Sequence, residues 1–271
     1  MIRAAVLGSP ISHSLSPQLH KTAYEVLGLQ ADYSRFDVKS GELTSFLIEH
    51  PELNALSLTM PLKEEALLIA DSVSQISLQI QSGNTLSKID GKWSLTSTDV
   101  EGFLQALEGS KFKSDGTALI IGSGATARAC VAALASDVQI QSGKIHVIHR
   151  NQEREKQLRA AAPLIDFEFH LWESFPLIND TSLVVNTTPS GTADVFCDFV
   201  DKPKGLYFEA LYNPWPTLLF DRWGSQGGRR IDGIDLLVHQ AISQVEIFSG
   251  RSVDRKSLSA HMRLKALELL D

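Results

Sequence analysis

The middle of the chain places a glycine-rich turn between a predicted strand and a predicted helix. Residues 117–121 form a short apolar run, and a helical pattern extends from residue 128 to residue 135. The turn between them has the pattern G-x-G-x-x-A and comprises Gly122, Ser123, Gly124, Ala125, Thr126 and Ala127. This arrangement predicts a dinucleotide site, because the glycines allow close approach to a pyrophosphate and the helix N-terminus supplies amide donors. The alternative is an ordinary tight turn.

The end of the next predicted strand, residues 144–148, indicates which dinucleotide is bound. NAD sites usually carry an acidic residue about 20 residues after the glycines, where it binds the ribose 2′-hydroxyl. This chain has Arg150 and Asn151 there, with Arg154 one helical turn later. Two guanidinium groups suit a 2′-phosphate. We therefore expect NADP rather than NAD, and the alternative is a solvated basic start of a helix.

Predicted strands and helices alternate along the rest of the chain, which is typical of a parallel α/β fold. A hairpin is predicted around Asp90-Gly91, between strands at residues 85–89 and 92–96. Further strands are predicted at residues 2–7, 54–60, 167–171, 182–187 and 206–210, and further helices at 63–70, 100–107, 234–248 and 256–270. Because about a hundred residues precede the glycine-rich turn, we expect a second unit before it.

Hydroxyl and imidazole side chains are concentrated in the loop after the first predicted strand. Three serines and two histidines lie between residues 12 and 20. Ser16 is expected to cap the following helix, with Pro17 at its first position and Gly28 at its end. Ligands of open α/β sheets bind at this edge. The pattern therefore predicts a ligand-binding loop, and the alternative is a turn with solvated hydroxyls.

Lys63 and Asp99 are candidates for acid–base chemistry. Lys63 lies just past the predicted strand at residues 54–60, and Asp99 follows the hairpin. Reduction of a carbonyl group needs a donor that bonds to, or protonates, the oxygen as hydride arrives. A lysine can do this, and a nearby carboxylate would hold its ammonium group in place. The alternative is that each residue is an ordinary surface charge.

The composition narrows the possible classes of protein. The 271 residues are 43% hydrophobic with a net charge of −7, which indicates a globular chain and does not favour nucleic-acid binding. We recognise no membrane span and no signal peptide, so we expect a cytoplasmic protein that binds no membrane. Cys130 and Cys197 are expected to be buried free thiols. The eight histidines lack a ligand spacing such as H-x-x-x-H, so no metal site is predicted.

Several motifs occur in the order found in one enzyme family. They extend from the opening loop to the C-terminal helices and lie at residues 8–20, 57–63, 84–86, 97–102, 149–154, 186–191, 212–217 and 233–240. Over nearly its whole length the chain resembles the shikimate dehydrogenase family. The resemblance implies reversible NADPH-dependent reduction of 3-dehydroshikimate to shikimate, in the pathway to chorismate and the aromatic amino acids.

The resemblance also implies roles for individual residues. Lys63 and Asp99 would be the catalytic pair. Ser14 and Ser16 would bind the substrate carboxylate, with Tyr212 nearby. The ring hydroxyls would contact Thr59, Asn84 and Gln240. The cofactor would contact the glycine-rich turn and Arg150, Asn151, Arg154, Thr187, Thr188, Gly233 and Leu237.

The domain organisation implied by the resemblance has two parts with a cleft between them. An N-terminal α/β substrate domain would comprise residues 1–101, completed by C-terminal helices at 236–271. A Rossmann-type NADP domain would comprise residues 102–235. We expect a small-molecule substrate and either a monomer or a homodimer.

Four residues depart from the family pattern. Ser57 and Ser97 replace asparagines, so we expect inter-strand hydrogen bonds near the site to be lost. Leu237 replaces a common methionine and Glu209 a frequent aspartate. Two alternatives remain open at this point. One is a paralogue that oxidises quinate or a related cyclic acid, with NAD as a possible cofactor, and the other is a catalytically weak ligand-sensing homologue.

Overall fold

The chain divides into two compact units. The computed structural model describes residues 1–136, 143–173 and 177–270. Unit 1 comprises Met1–Gly102 and Leu237–Asp271, and unit 2 comprises Phe103–Leu236. Each unit has its own six-stranded sheet. The predicted α/β fold class is confirmed.

Unit 1 contains a mixed sheet. Its strands are β1 (Ile2–Gly8), β2 (Ala31–Asp37), β3 (Ala55–Leu58), β4 (Ser72–Val73), β5 (Thr85–Ile89) and β6 (Lys92–Thr96). The strand order is β2-β1-β3-β5-β6-β4. Strand β1 is parallel to both β2 and β3, whereas β5 is antiparallel to both β3 and β6. The parallel strands β1 and β3 therefore bring their carboxyl ends to the same edge of the sheet.

Local sequence explains the strands that were predicted well. Residues 4–7 of β1 are all buried, as expected for a central strand covered on both faces. In the hairpin, Asp90 has φ +49° and Gly91 has φ +79°. Two left-handed residues in a two-residue loop match the twist of the flanking strands. The Asp-Gly turn thus sets the pairing of β5 with β6.

Five helices begin before the glycine-rich turn, and two more follow at the C-terminus. The first five are α1 (Ser16–Val26), α2 (Leu43–Glu49), α3 (Leu62–Glu65), α4 (Gln75–Ile80) and α5 (Asp99–Gly109). The C-terminal helices are α9 (Gly233–Ser249) and α10 (Arg255–Glu268). A 3-10 turn, Ala66–Leu68, follows α3.

Unit 2 contains a parallel, doubly wound sheet. Its strands are β7 (Thr117–Ile121), β8 (Lys144–His149), β9 (Asp166–Leu171), β10 (Leu183–Asn186), β11 (Leu206–Glu209) and β12 (Arg229–Ile231). Its helices are α6 (Ala125–Leu134), α7 (Glu155–Ala161) and α8 (Leu218–Ser225), with 3-10 segments at Gln152–Arg154 and Asp194–Phe199. The strand order β12-β11-β10-β7-β8-β9 reverses between β7 and β10. Sheets of this Rossmann type bind ligands at that reversal.

Each sheet is covered by an apolar core that supports the loops at its edge. In unit 1 the buried cluster includes Leu7, Leu56, Leu58, Leu86 and Leu95. In unit 2 the cluster includes Ile121, Val184 and Tyr207, and the Tyr207 ring stacks on buried Trp223 with centroids 5.1 Å apart. Because protein interiors are close-packed, these two clusters hold the strand ends in fixed positions.

The structure corrects several sequence predictions. Ser16 is the first residue of α1 rather than its cap; Leu15 occupies the cap position and makes no side-chain cap bond. The predicted stop at Gly28 is confirmed by its φ of +61°. The predicted strand at residues 54–60 is limited to Ala55–Leu58. The predicted helix at 63–70 is divided into α3 and a 3-10 turn.

Two expectations about special residues and segments can be compared with the structure. Cys130 and Cys197 are both free thiols, as predicted, although Cys197 is only half-buried. Within the described part of the chain, none of the helices combines the length and the apolar character needed to cross a bilayer.

Candidate active site

The opening loop follows β1 at the edge where β3 also ends. The Ser9 N–H donates to the Met60 carbonyl at 3.0 Å and joins this loop to the one after β3. Ser14 and Ser16 are both buried. The Ser14 hydroxyl accepts a hydrogen bond from the Ser16 N–H at 3.3 Å, which fixes the start of α1. The loop is therefore an ordered part of unit 1 rather than a solvated turn.

Lys63 and Asp99 form a direct ion pair. Lys63 lies in α3, just after β3, and Asp99 is the first residue of α5. The Lys63 Nζ donates to Asp99 Oδ2 at 2.6 Å. Their side chains are 17% and 10% exposed, so the pair is shielded from bulk water without being sealed off. A partly buried ammonium group held by a carboxylate can transfer a proton to a bound oxygen atom.

Asn84 connects the ion pair to neighbouring residues. Its amide nitrogen lies 2.9 Å from Asp99 Oδ1, the oxygen that Lys63 does not use. The same nitrogen lies 3.0 Å from Thr98 Oγ1 and 3.3 Å from Gln240 Oε1. The Asn84 carbonyl oxygen accepts from the Thr98 N–H at 2.8 Å and from the Thr85 hydroxyl at 2.8 Å. These partners fix which way the amide points and hold the Asp99 carboxylate against Lys63.

A glycine allows the C-terminal helix α9 to reach this cluster. A Cβ atom at Gly102 would lie 2.9 Å from both the backbone nitrogen and the Cβ of Gln240. Such a distance is too short for any side chain, so only glycine permits the close contact of α5 with α9 within unit 1. Gln240 is further held by a 2.8 Å bond from its amide nitrogen to the Leu237 carbonyl. This close contact explains how Gln240, which is 156 residues from Asn84 in sequence, reaches the Asn84 side chain.

A second polar network lies around Gln244, one turn further along α9. Its amide nitrogen donates to the main-chain carbonyl of Asn84 at 3.1 Å and to Thr85 Oγ1 at 3.0 Å. Its carbonyl oxygen accepts from the Ser57 hydroxyl at 2.7 Å, and Ser57 in turn accepts from Tyr33 at 2.6 Å. The expectation that Ser57 loses its hydrogen bonds is therefore wrong. The buried hydroxyl group of Ser97, by contrast, has no hydrogen-bond partner among the described residues.

His20 is the fully buried histidine of this network. Its Nε2 lies 3.2 Å from Gln244 Oε1, its Nδ1 lies 3.2 Å from the Tyr24 hydroxyl, and its ring stacks on Tyr33. Burial away from water lowers the pKa of His20 from 6.5 to about 3, although the bond to Gln244 opposes this shift. His20 is therefore neutral in the folded protein at physiological pH, with its Nε2–H donating to Gln244.

This lowered pKa predicts a specific loss of stability in acid. The unfolded chain binds a proton at His20 below pH 6.5, whereas the folded chain does so only near pH 3. The stabilisation is therefore complete above pH 6.5 and is lost as pH falls from 6.5 towards 3. Between pH 7 and pH 5 the free energy of unfolding should fall by about 2 kcal/mol more in the wild type than in His20→Gln.

Denaturant titrations of both proteins at the two pH values measure this difference. His261→Gln, a change at an exposed histidine of α10, serves as the control and should keep the wild-type pH dependence. Equal losses in wild type and His20→Gln would show that His20 takes up its proton without unfolding.

The glycine-rich turn of unit 2 has the geometry of a phosphate-binding turn. Gly122 has φ +111°, and a Cβ atom there would lie 2.6 Å from Thr187 Oγ1. The first intrahelical bond of α6 runs from the Arg128 N–H to the Gly124 carbonyl, so the amides of residues 125–127 precede it. These amides point out of the helix N-terminus, where the helix dipole favours an anion.

The two predicted arginines are exposed, and Arg154 lies beside this turn. The Arg154 Nη1 is 3.8 Å from the position that a Cβ of Gly124 would take. The Arg150 guanidinium lies over the Trp172 ring, 5.1 Å from its centroid. Asn151 accepts from the Glu153 N–H at 3.0 Å and caps the 3-10 segment that carries Arg154. A phosphate next to the turn would therefore meet the guanidinium group of Arg154, and Arg150 follows the neighbouring strand β8.

Glu209 organises the loops after β10 and β11. Its carboxylate accepts from Asn186 at 3.1 Å, Tyr207 at 2.8 Å, Thr217 at 2.8 Å and the Leu211 N–H at 3.1 Å. Burial raises the pKa of Glu209, while the hydrogen bonds of these donors act in the opposite direction. Asn186 also accepts from the backbone N–H and the hydroxyl of Thr188. The network fixes the segment of Thr187 and Thr188 next to Gly122.

Comparison with known proteins identifies the family. Residues 6–86 match the family model described as the shikimate dehydrogenase substrate binding domain. The chain is 32% identical over 264 residues to "Shikimate dehydrogenase (NADP(+))" of Microcystis aeruginosa, covering 92% of this chain and 91% of that protein. The chain belongs to the shikimate dehydrogenase family.

Solved structures of the shikimate dehydrogenase family agree with this assignment. The enzyme of Mycobacterium tuberculosis is 34% identical, with a TM-score of 0.85 over 97% of this chain and 99% of that one. A Thermus thermophilus structure in complex with NADP(H) and shikimate is 26% identical, with a TM-score of 0.82 over 98% and 100% of the two chains.

The structure brings several of the predicted shikimate dehydrogenase residues together in one cluster and assigns the others to one unit or the other. Lys63, Asp99, Asn84 and Gln240 form one bonded cluster in unit 1. Thr59 lies in the turn that leads into α3, where its carbonyl accepts from the Leu62 N–H at 2.9 Å. Other predicted residues belong to different units: Ser14, Ser16 and Leu237 lie in unit 1, and Tyr212 and Gly233 lie in unit 2.

Sequence reasoning missed several residues of the site. Thr98 directly precedes the predicted residue Asp99, yet its three contacts with Asn84 gave no signal of their own in the sequence. Gln244 could have been noticed as a polar residue on the apolar face of a buried helix. Trp172, which stacks under Arg150, lies beyond the end of β9 in a segment without a motif.

Proposed function

We propose that the protein catalyses the reversible NADPH-dependent reduction of 3-dehydroshikimate to shikimate in the aromatic amino-acid pathway. The observation that carries this proposal is the Lys63–Asp99 pair, held by Asn84 at the carboxyl edge of the unit 1 sheet. Relatives named shikimate dehydrogenase (NADP(+)) support the same reaction.

The proposed chemistry assigns one proton transfer to Lys63. When bound, the dinucleotide supplies the hydride that adds to the carbonyl carbon. The Lys63 ammonium group donates a proton to the carbonyl oxygen, and in the reverse direction the neutral amine accepts it from the hydroxyl. Asp99 stabilises the ammonium form and fixes the position of Nζ, because its second oxygen is held by Asn84.

The substrate residues match the chemistry of a small polyhydroxylated acid. Thr59, Asn84 and Gln240 would supply neutral donors and acceptors for ring hydroxyls. The buried hydroxyls of Ser14 and Ser16 would bind the carboxylate, with Tyr212 contributing nearby. Neutral hydroxyl donors bind an anion without introducing a fixed charge that must be desolvated.

The residues of unit 2 fit a bound NADP. The positive φ of Gly122 permits the tight turn that presents backbone amides to a pyrophosphate, and the missing side chain lets Thr187 pack against the turn. The amides at the start of α6 would hold that pyrophosphate. Arg150, Asn151 and Arg154 would hold the 2′-phosphate, and Thr187, Thr188, Gly233 and Leu237 would line the remainder. We accordingly assign substrate binding chiefly to unit 1, with Tyr212 from unit 2, and cofactor binding chiefly to unit 2, with Leu237 from unit 1.

A coupled measurement tests the proposed reaction. NADPH consumption should depend on added 3-dehydroshikimate, and shikimate should be the product identified by chromatography. In the reverse direction, shikimate and NADP should yield NADPH. A protein that binds both ligands without turnover would instead support the ligand-sensing alternative.

The cytoplasmic location of the protein and its assembly as a monomer or homodimer stay predictions.

Ser14→Ala and Ser16→Ala test the role of the opening loop. Each change should mainly raise KM for shikimate, by about 10–150-fold, because a hydrogen bond to a charged group is worth roughly 1.5–3 kcal/mol. Steady-state kinetics at saturating NADP measure the effect. The melting temperature should change little for Ser16→Ala. It should fall modestly for Ser14→Ala, because the Ser14 hydroxyl also accepts from the Ser16 N–H.

Ser12→Ala is the matched control, because Ser12 is an exposed serine in the same loop. It should leave KM unchanged. If Ser14→Ala and Ser16→Ala lower the melting temperature while KM holds, the two hydroxyls have a structural role and do not bind the carboxylate.

A further inference from the structure

Two histidines and a glutamate converge on one face of the unit 2 sheet, on the neighbouring strands β8 and β9. His146 on β8 is paired in register with Glu168 on β9, and His170 lies two residues further along β9. In a parallel pair, residues in register and residues two apart project from the same face. The three side chains therefore meet across strands, although His146 and His170 are 24 residues apart in sequence.

The potential ligand atoms lie at distances suited to a single ion. His146 Nδ1 is 2.9 Å from His170 Nε2, and Glu168 oxygens are 3.9 Å and 3.7 Å from the two nitrogens respectively. Zinc bonds of 2.0–2.1 Å in tetrahedral geometry separate ligand atoms by about 3.3 Å. The observed distances lie on both sides of this value, so small side-chain rotations would complete the site.

The surroundings allow an ion to enter and keep a water ligand. The side chains of His146 and His170 are 12% and 16% exposed, whereas that of Glu168 is 46% exposed. The two imidazoles are thus held by the sheet, and the carboxylate closes the site from the solvent side. Three protein ligands with an open fourth position are typical of zinc sites that retain water.

We propose that His146, Glu168 and His170 bind a divalent transition-metal ion, with zinc as the best match to two imidazoles and a carboxylate. The bound ion joins β8 to β9, which is the edge strand of its sheet. The site is independent of the proposed reaction, because none of its residues belongs to the proposed catalytic or cofactor-binding groups.

The ammonium group of Lys144 opposes the binding of a metal ion at this site but does not prevent it. Its Nζ bonds Glu168 Oε2 at 2.8 Å, whereas Glu168 Oε1 is the oxygen nearer His170. One carboxylate oxygen of Glu168 can therefore contact the ion while the other stays hydrogen-bonded to Lys144. Because the ammonium group repels a cation, Lys144→Met should strengthen zinc binding, by up to about tenfold.

The test uses full-length protein without a histidine tag, stripped with a chelator and titrated with zinc by calorimetry. We expect one equivalent to bind with a micromolar or lower Kd and zinc to raise the melting temperature by several degrees. His146→Ala, His170→Ala and Glu168→Gln should each weaken binding. For the histidine variants the Kd for zinc should rise at least about 100-fold. Changes to residues that only support the metal ligands already weaken metal binding by up to about 100-fold.

A matched control is the His50–Glu52 pair of unit 1, which has a similar 3.1 Å contact but no third potential ligand close by among the described residues. His50→Ala should leave zinc binding unchanged. Glu168→Gln changes an exposed side chain and keeps the test valid if a histidine variant fails to fold. Absence of binding at about 100 µM zinc, or binding that survives all three substitutions, would show that the two imidazoles form only a hydrogen-bonded pair.

Discussion

Replacing Lys63 with alanine is expected to lower kcat by about 10²–10⁴-fold while changing the KM for shikimate only modestly. The range is the usual contribution of a positioned acid–base group. Lys63 donates to Asp99 at 2.6 Å and lies at the edge where the substrate loops meet, so its removal leaves the carbonyl oxygen without a proton donor. Steady-state rates in both directions measure the loss.

Asp99→Asn should lower kcat as well, by a similar or smaller factor, because the neutral amide no longer stabilises the ammonium group. Lys21→Ala, a change at an exposed lysine of α1, is the control and should leave kcat unchanged. If Lys63→Ala keeps more than half of the wild-type kcat, the assignment of Lys63 as the proton donor is wrong.

Removing Arg150 and Arg154 should remove the preference for NADP. Arg150→Ala is expected to weaken NADP binding tenfold or more and to leave NAD binding nearly unchanged. Each charge-assisted contact to the 2′-phosphate is worth roughly 1.5–3 kcal/mol, less where the site is wet, and both arginines are exposed. The double variant with Arg154→Ala should abolish most of the discrimination. Fluorescence titrations with the two cofactors measure both effects.

Arg159→Ala is the matched control for the loss of a positive charge. Arg159 lies on α7, and its guanidinium covers the Phe169 ring at 4.8 Å rather than the glycine-rich turn. Its removal should weaken NADP only slightly. Added salt should also weaken wild-type NADP binding, because the contacts are ionic and solvent-exposed. Equal weakening of NADP and NAD in the Arg150 and Arg154 variants would show that neither residue reads the phosphate.

The sequence predicted the elements whose causes are local. The Asp90-Gly91 turn requires two left-handed residues, and the strands on each side match the predicted limits of residues 85–89 and 92–96. The strand, glycine turn and helix at residues 117–135 were likewise predictable, because each step has a distinct periodicity. Elements without a strong pattern were missed, such as β2, an edge strand of mostly polar residues.

The candidate site shows the limit of sequence reasoning more clearly. Lys63, Asp99 and Asn84 lie near recognisable motifs, so their roles could be proposed. Their connection through Gln240 and Gln244 depends on the close contact at Gly102, which only the packed helices reveal. The same limit applies to His146 and His170, since their proximity comes from strand pairing rather than from spacing within one segment.

The most direct test of the account is a comparison of kcat/KM for shikimate and quinate, each with NADP and with NAD. Shikimate with NADP should give the highest value, at least about tenfold above every other combination. NAD lacks the 2′-phosphate and its charge-assisted contacts, and quinate carries an additional hydroxyl group that must be desolvated on binding. An equal or higher value for quinate, or for NAD with shikimate, would contradict the account and favour a paralogue of different specificity.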